Sequence, residues 1–433
     1  MGISNRKIII FEIKVNGDSY DITLCWGVWF DMRILYVTPL WSGFRDILLD
    51  GAVNAKGMPA FINPLKRLVE QGHQVDIIIA AADVSEKDLN ISVDWLDRTR
   101  IVFVDWNIKG YKKVLSILEL YSTINHILRE NKYDFVYGHG SIGAIANMVA
   151  NHHGINCGIR LYGTFLASEI NRISRLQIAI RHPLEYMAFK LSKNFFLITN
   201  DGTKGDQVYN YLTNNRAKYK FCFMLNGVDL PEPMLKNETD LTQFQFPFII
   251  YPARITRWKR QHLAIDILKG LHNNGVPMNL YFAGHITDMD YWSEIEEEIA
   301  NYGLTSFVSY LGTVDNTVLY SLYQNAVAVL SLYEISNLGN VLIEALSYGA
   351  VVLSLNDGSL DTIVENGKNA ILVNEPDEAV NQILFLYKND SKALEIRKSA
   401  TNKAMEIFKD WESRVGEEIQ LIENAVIKEK NKY

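Results

Sequence analysis

Apolar and polar residues alternate singly near the start of the chain. Ile9, Phe11, Ile13 and Val15 stand two apart, Asn16-Gly17 interrupts them, and Tyr20, Ile22 and Leu24 resume the alternation. A period of two belongs to a strand with one covered face, and Asn-Gly is a strong tight-turn signal, so a β-hairpin extension is expected over 1–31. From Met32 the pattern changes. Arg33–Thr38, Val75–Ala81, Asp134–Tyr137 and Ile159–Tyr162 are short apolar runs of strand length, and Ile142–Val149 reads as a helix closed by Gly154. Phe61, Ile62, Leu65, Leu68 and Val69 fall at helical spacing. Pro64 predicts that this helix begins there, with Asn63 as N-cap and Gly72 as its stop.

A second alternation follows the polar stretch Pro231–Thr242, which reads as a linker. Phe248–Tyr251, Met278–Ala283, Phe307–Leu311, Val327–Leu332, Val351–Leu355 and Ala370–Val373 are expected strands, most of them separated by helix-length segments. Strands alternating with helices predict parallel, doubly wound α/β sheets. The expected organisation is a hairpin (1–31), an N-terminal Rossmann-like domain (32–230), a C-terminal Rossmann-like domain (231–410) and a terminal helix (411–433). In that helix Val415, Ile419, Ile422 and Val426 form one apolar stripe. Ligands of open α/β sheets sit beyond the carboxyl ends of the strands, so a ligand cleft between the two domains is expected.

Composition narrows the classes. With 48% apolar and 21% charged residues the chain is neither largely disordered nor a polytopic membrane protein. Lys plus Arg total 43 against 50 Asp plus Glu, a net charge of −7, which argues against nucleic acid as the main partner. Cys25, Cys157 and Cys222 are too few and too scattered for a disulfide framework or a Cys-rich zinc site, and suit a reducing compartment. No apolar run approaches the ~18–20 residues that span a bilayer. The N-terminal Met1–Arg6 lacks the features of a signal peptide or a myristoylation motif, so a cytoplasmic protein is expected.

Two segments carry chemistry. The first runs from Tyr333 to Gly349: a strand ends at Leu332, a polar loop with Gly339 follows, and a helix carrying Glu344 begins. A loop feeding a helix N-terminus presents unpaired N–H groups and a positive dipole end to a phosphate. An acid one turn in is placed to accept hydrogen bonds from ribose hydroxyls. The second segment is Pro252–Arg260, where Arg254, Arg257, Lys259 and Arg260 put four cations within seven residues at the end of a strand. Arginine forks and a lysine point charge there suit a pyrophosphate. The plainer alternatives are a helix-start acid and a solvated basic loop.

From Met32 to about Trp411 the chain resembles a family 4 glycosyltransferase of the GT-B fold. The resemblance rests on Met32–Val37, Gly72-His73-Gln74-Val75, Leu225-Asn226-Gly227-Val228-Asp229, Arg254 with Lys259, Ser336–Gly349 and Trp411-Glu412-Ser413-Arg414, in that order. It implies a retaining, hexosyltransferase-type enzyme (EC 2.4) moving a sugar from a nucleotide-sugar, a UDP-sugar favoured over a GDP-sugar, to a hydroxyl of a glycan or glycolipid. Cell-surface polysaccharide or glycoconjugate synthesis would be the setting. Arg254 and Lys259 would hold the donor phosphates, Glu344 the ribose, and Ser336, Asn337, Leu338, Gly339 and Asn340 the rest of the donor. Gly57, Tyr162, Gly163, Gly284 and Gly312 would line the substrate sites, and His139 would serve the acceptor side.

One position departs from the family pattern. The sugar-contacting glutamate should lie eight residues before Glu344, at 336, where this chain has Ser. Either Glu334 reaches the sugar or Ser336 takes the slot. Tyr162 stands near a second family histidine and cannot act as a base near pH 7. Asp288-Met289-Asp290 mimics a metal motif but precedes an acidic helix, so N-capping is expected, with no metal and no other cofactor. The basic and aliphatic stretch 172–193, interrupted by Pro183, has the composition of a membrane-surface segment, and peripheral contact with the inner membrane face is a further expectation. A rival to the enzyme is a non-catalytic GT-B subunit that binds nucleotide or glycan and scaffolds a partner transferase.

Overall fold

The computed structural model describes residues 13–16, 19–22, 31–54, 57–107, 109–214, 216–231 and 241–430. Strands β1 (Ile13–Asn16) and β2 (Ser19–Ile22) pair antiparallel, Ile13 opposite Ile22 and Asn16 opposite Ser19, as the alternation requires. The outer parts of the expected hairpin and most of the expected linker lie outside the described residues.

Seven strands form one sheet: β3 (Arg33–Pro39), β4 (Gln74–Ala81), β5 (Arg100–Asp105), β6 (Phe135–His139), β7 (Asn156–Leu161), β8 (Phe195–Thr199) and β9 (Lys220–Met224), in the order β5-β4-β3-β6-β7-β8-β9. Ile34–Val37 and Ile77–Ile79 are fully buried, which is why they read as unbroken apolar runs rather than as alternation. Six strands form the other: β10 (Phe248–Pro252), β11 (Asn279–Ala283), β12 (Val308–Tyr310), β13 (Ala328–Ser331), β14 (Val352–Leu355) and β15 (Ile371–Val373), all parallel, in the order β12-β11-β10-β13-β14-β15. All six match the expected segments to within two residues at each end. Period two sorts β10 between two cores: Ile249 and Tyr251 join the one packed by the helix His262–Asn273, while Phe248 and Ile250 join the one that includes Leu342 and Leu346 of the helix Asn340–Ser347. The chain is α/β, with two doubly wound Rossmann-like sheets.

By contacts the chain divides into two compact units. One comprises Met1–Ile159, Leu191–Asn194 and Leu421–Tyr433, the other Arg160–Lys190 and Phe195–Gln420. The terminal helix Trp411–Lys430 buries Val415, Ile419, Ile422 and Val426, its expected stripe.

One local expectation needs correction. The helix expected to begin at Pro64 begins at Pro59, and Pro64 lies inside it. Pro59 takes the first-turn position, where the missing N–H costs nothing. Burial of Phe61, Ile62, Leu65 and Leu68 then carries the helix through the second proline. Stretch 172–193 holds two short helices, Arg175–Arg181 and Pro183–Ala188, with Ile178 and Phe189 in the core.

Candidate active site

In the six-stranded sheet, strand order reverses between β10 and β13, which pair through Ile249–Ala328 and Ile250–Val329. The loops beyond the carboxyl ends of these two strands therefore diverge and leave a crevice. They are the loops 253–260 and 332–339, the two segments singled out for chemistry. They are bound to each other. The Tyr251 hydroxyl donates to the Lys259 carbonyl and accepts from the Leu332 N–H at 3.2 Å, and the Glu334 N–H donates to the Trp258 carbonyl at 3.1 Å.

Lys259 is the centre of this arrangement. Its ammonium lies 3.2 Å from the ring centroid of Tyr333 and 4.1 Å from that of Trp258. Burial, and then the charge of Arg254, push its pKa down to about 7. Ring faces offer a cation partial compensation only, and no ion pair holds the Lys259 ammonium among the described residues, so an anion here would supply one. Arg254 is exposed, and its carbonyl is fastened by the Gln261 amide at 2.8 Å. The four expected cations do not act as one. Arg257 pairs with Glu294 at the surface through two bonds of 2.8 and 2.7 Å and covers the Tyr291 ring.

Gly284, just beyond β11, has φ +146°, and a Cβ on it would fall 2.3 Å from the Ala253 carbonyl oxygen. Only glycine lets the β11 loop lie against the backbone that carries Arg254. Its N–H donates to the Gly312 carbonyl at 2.7 Å.

The helix Asn340–Ser347 starts at Gly339, which supplies no side-chain cap and has no atom within 4 Å of its missing Cβ. The first turn of this helix carries no side-chain cap, an arrangement that suits an anion. Asn340 at the first turn accepts from the Asn226 amide at 2.9 Å, tying the 225–229 segment to the helix. Glu344 is half-buried; burial and then Asp229 raise its pKa to about 8. Asp229 itself accepts from the Tyr320 hydroxyl at 3.2 Å.

Residues 334–338 divide by role. Asn337 is fully buried: its Oδ1 accepts from Ser331 Oγ at 3.0 Å and the Tyr333 N–H at 2.9 Å, and its Nδ2 donates to Asp357 at 2.9 Å. It staples the loop and does not face a ligand. Leu338 is buried as well. Ser336 Oγ donates to the Asp201 carbonyl at 2.5 Å and accepts from the Leu338 N–H at 3.3 Å. Glu334 is exposed.

Residues 240–403 match the model of the family described as "Glycosyl transferases group 1". Both loops, Gly284, Gly312 and Glu344 lie in that stretch. No curated protein matches the sequence. Among solved structures, a glycosyltransferase from Rickettsia africae is 17% identical with a TM-score of 0.65, covering 92% of this chain and 99% of its own. Anabaena HepE in complex with UDP is likewise 17% identical, at TM-score 0.64, with 92% and 100% covered. A sucrose-phosphate synthase from Thermosynechococcus elongatus is 16% identical, at TM-score 0.67, with 91% and 98% covered. At these identities the likeness is one of fold, and it extends over nearly the whole chain.

Beside the matched region, the same unit brings in Tyr162 and Gly163. A Cβ on Gly163 would lie 2.1 Å from Asp201 Oδ2, and one on Gly202 would lie 2.2 Å from Ser336 Oγ. Two glycine turns thus let the 162–164 and 200–203 segments close on the loop holding Ser336. Tyr162 lies under the buried Arg160 guanidinium at 4.5 Å, and burial raises its hydroxyl pKa well above the usual value. His139 and Gly57 belong to the other unit. His139 ends β6, is 1% exposed and packs among the rings of Tyr36, Phe61 and Tyr137. Gly57 lets its carbonyl approach Gly43, where a Cβ would lie 2.2 Å from that oxygen. Asp288 accepts from the Tyr291 N–H at 2.9 Å and caps the helix Met289–Asn301, as expected. Among the described residues no group of three or more His, Cys, Asp or Glu could hold a metal ion, and no helix is long and apolar enough to cross a membrane.

Sequence reasoning missed Trp258 and Tyr333 as the cage of Lys259, Asp229 beside Glu344, and Asp201 as the anchor of Ser336. An aromatic next to a lysine carries no signal of its own. The turn Asn200-Asp201-Gly202-Thr203 did, through its Asp-Gly pair, and Gly202 indeed has φ +79°.

Proposed function

We propose that the chain is a retaining glycosyltransferase that moves a sugar from a nucleotide-sugar, a UDP-sugar before a GDP-sugar, to a hydroxyl of a glycan or glycolipid. Its setting would be cell-surface polysaccharide or glycoconjugate synthesis. The observation that carries this is Lys259, held between two rings beside Arg254 at the switch point of the sheet. The family match over 240–403 and the fold shared with HepE, solved with UDP and with UDP-glucose, support it.

Glycosyl transfer from such a donor leaves a nucleoside diphosphate. Negative charge grows on the bridging phosphate oxygen as the bond to the anomeric carbon breaks, and cations already aimed at that oxygen stabilise the transition state more than the ground state. Lys259 and Arg254 take that role, with the N-terminal turn of Asn340–Ser347 at the other phosphate and Glu344 at the ribose. In a front-face reaction the acceptor oxygen bonds to the anomeric carbon on the side the phosphate leaves. Its proton passes to the departing phosphate, so no enzymatic nucleophile is needed. Since cations neutralise the leaving group, turnover should survive EDTA; loss with rescue by Mn²⁺ would overturn that assignment.

Glu334 is the carboxylate free to reach the sugar, because the Ser336 hydroxyl already holds the Asp201 carbonyl. Glu334→Ala should therefore lose turnover while nucleoside diphosphate affinity changes little. Melting shifts across UDP-, GDP- and ADP-sugars, which grow as RT ln(1 + [L]/Kd), identify the donor. The Ser336 slot also favours one second reading, a non-catalytic subunit that scaffolds a partner transferase. Binding of a nucleotide-sugar with neither transfer nor slow hydrolysis would select it.

A further inference from the structure

Glu185 is a carboxyl buried without a counter-charge. It lies on the short helix Pro183–Ala188, is 8% exposed, and pairs with no cation among the described residues. Burial pushes its pKa up to about 7, against the pull of a neutral hydroxyl, Thr164 Oγ1, which donates to its Oε1 at 3.0 Å. An acid in a core without an ion partner is costly, and a leucine of similar volume would fill the place without that cost. Packing alone does not account for a glutamate here.

The bond it accepts begins a chain that ends at the loop 334–338. Thr164 is itself buried. Its Oγ1 also accepts from the Leu166 N–H at 3.2 Å, and its own N–H donates to Thr203 Oγ1 at 3.0 Å. Thr203 in turn donates its hydroxyl to Asp201 Oδ1 at 2.6 Å and its N–H to the same oxygen at 3.1 Å. The Asp201 carbonyl accepts from Ser336 Oγ, which accepts from the Leu338 N–H. The backbone is closed tightly at both contacts, since no Cβ fits at 163 against Asp201 or at 202 against Ser336. Each hydroxyl proton on this path is committed to an acceptor, and Glu185 is the acceptor at its far end. All of these residues belong to one compact unit. We infer that Glu185 is a positioning residue, holding the loop that carries Ser336 through Thr164, Thr203 and Asp201. That this loop meets the donor sugar rests on the proposed transferase reading; the linkage itself does not.

Two measurements on the full chain separate the linkage from the chemistry. Amide hydrogen exchange reads the linkage without any ligand. Glu185→Leu should speed exchange at Thr164 and Leu338 about tenfold, while the helix Pro376–Lys388 keeps its rates. Thr164→Val removes the same bond from its other side and should free Leu338 as well, and combining the two changes should add little. Glu185→Gln keeps an oxygen for the Thr164 hydroxyl and should exchange like wild type. Release of UDP from UDP-glucose reads the chemistry. Glu185→Leu should lower turnover about tenfold with UDP affinity unchanged, and glutamine at the same position should keep it. Since leucine removes a buried acid, the melting temperature should not fall, which separates a displaced loop from a less folded chain. Unchanged exchange at Leu338 in Glu185→Leu or in Thr164→Val would overturn the inference, as would a Glu185→Gln variant that behaves like Glu185→Leu. A wild type that releases no UDP while the exchange pattern holds would overturn the transferase reading alone.

Discussion

At the scale of single residues, two side chains are held away from their ordinary protonation. Lys259 is pushed down to about 7 by burial and by Arg254. Its charge is full only below that pH, so nucleoside diphosphate affinity should fall as pH rises above about 7, where binding must first recruit a proton. Lys259→Ala should remove about 3 kcal/mol of transition-state stabilisation, roughly a hundredfold in turnover. Unchanged turnover in a folded variant would end its assignment. Glu344 shows the opposite shift, raised from 4.5 to about 8 by burial and Asp229. A carboxyl whose folded pKa exceeds its unfolded one favours folding at low pH, and that contribution is lost as pH rises from about 4.5 to about 8. Glu344→Gln lacks the titration, so the melting temperature of wild type should drop relative to the variant across that window. A gap that stays constant with pH would show that Glu344 does not titrate there.

At the scale of elements, the loops after β10 and β11 are shaped by a backbone contact rather than by side chains. Gly284 sits where any Cβ would meet the Ala253 carbonyl at 2.3 Å. Gly284→Ala should shift the backbone that carries Arg254, costing about 2 kcal/mol or more by strain and steric conflict together. Urea unfolding would measure the loss, and it should come with weaker nucleotide binding. Gly339 is the contrasting control: its missing Cβ faces empty space and its φ is extended, so Gly339→Ala should leave stability nearly unchanged. Equal destabilisation by both would contradict the geometry.

At the scale of the whole molecule, residues far apart in sequence are joined by one buried carboxylate. Glu418 on the terminal helix lies 3.4 Å from Arg160 at the start of a unit boundary and 3.1 Å from Arg414, and all three side chains are almost completely buried. Removing it leaves two guanidinium groups without their counter-charge. Glu418→Ala should therefore destabilise the fold by about 3–5 kcal/mol, read from the shift in denaturant midpoint. A change near zero would mean that water or the backbone already compensates the arginines.

Much of this was legible before any coordinates. The six strands of the second sheet appear as short apolar runs because both faces of a parallel sheet are covered. Arg254, Lys259, Gly339 and Glu344 stand out in the sequence because they fall at strand ends and a helix start, and the structure places them on the loops after β10 and β13 and on the helix that follows. Pro64 misled, because the local cost of a proline says nothing of the apolar face that offsets it. What the tertiary structure alone decided is which neighbours each side chain meets. It paired Arg257 with Glu294 and enclosed Lys259 with Tyr333, 74 positions away. It also turned Ser336 toward the Asp201 carbonyl. Periodicity is a property of neighbours along the chain, so it reports burial and element type. Partnership across the chain depends on how β10 and β13 are ordered in the sheet, and local pattern does not encode that order.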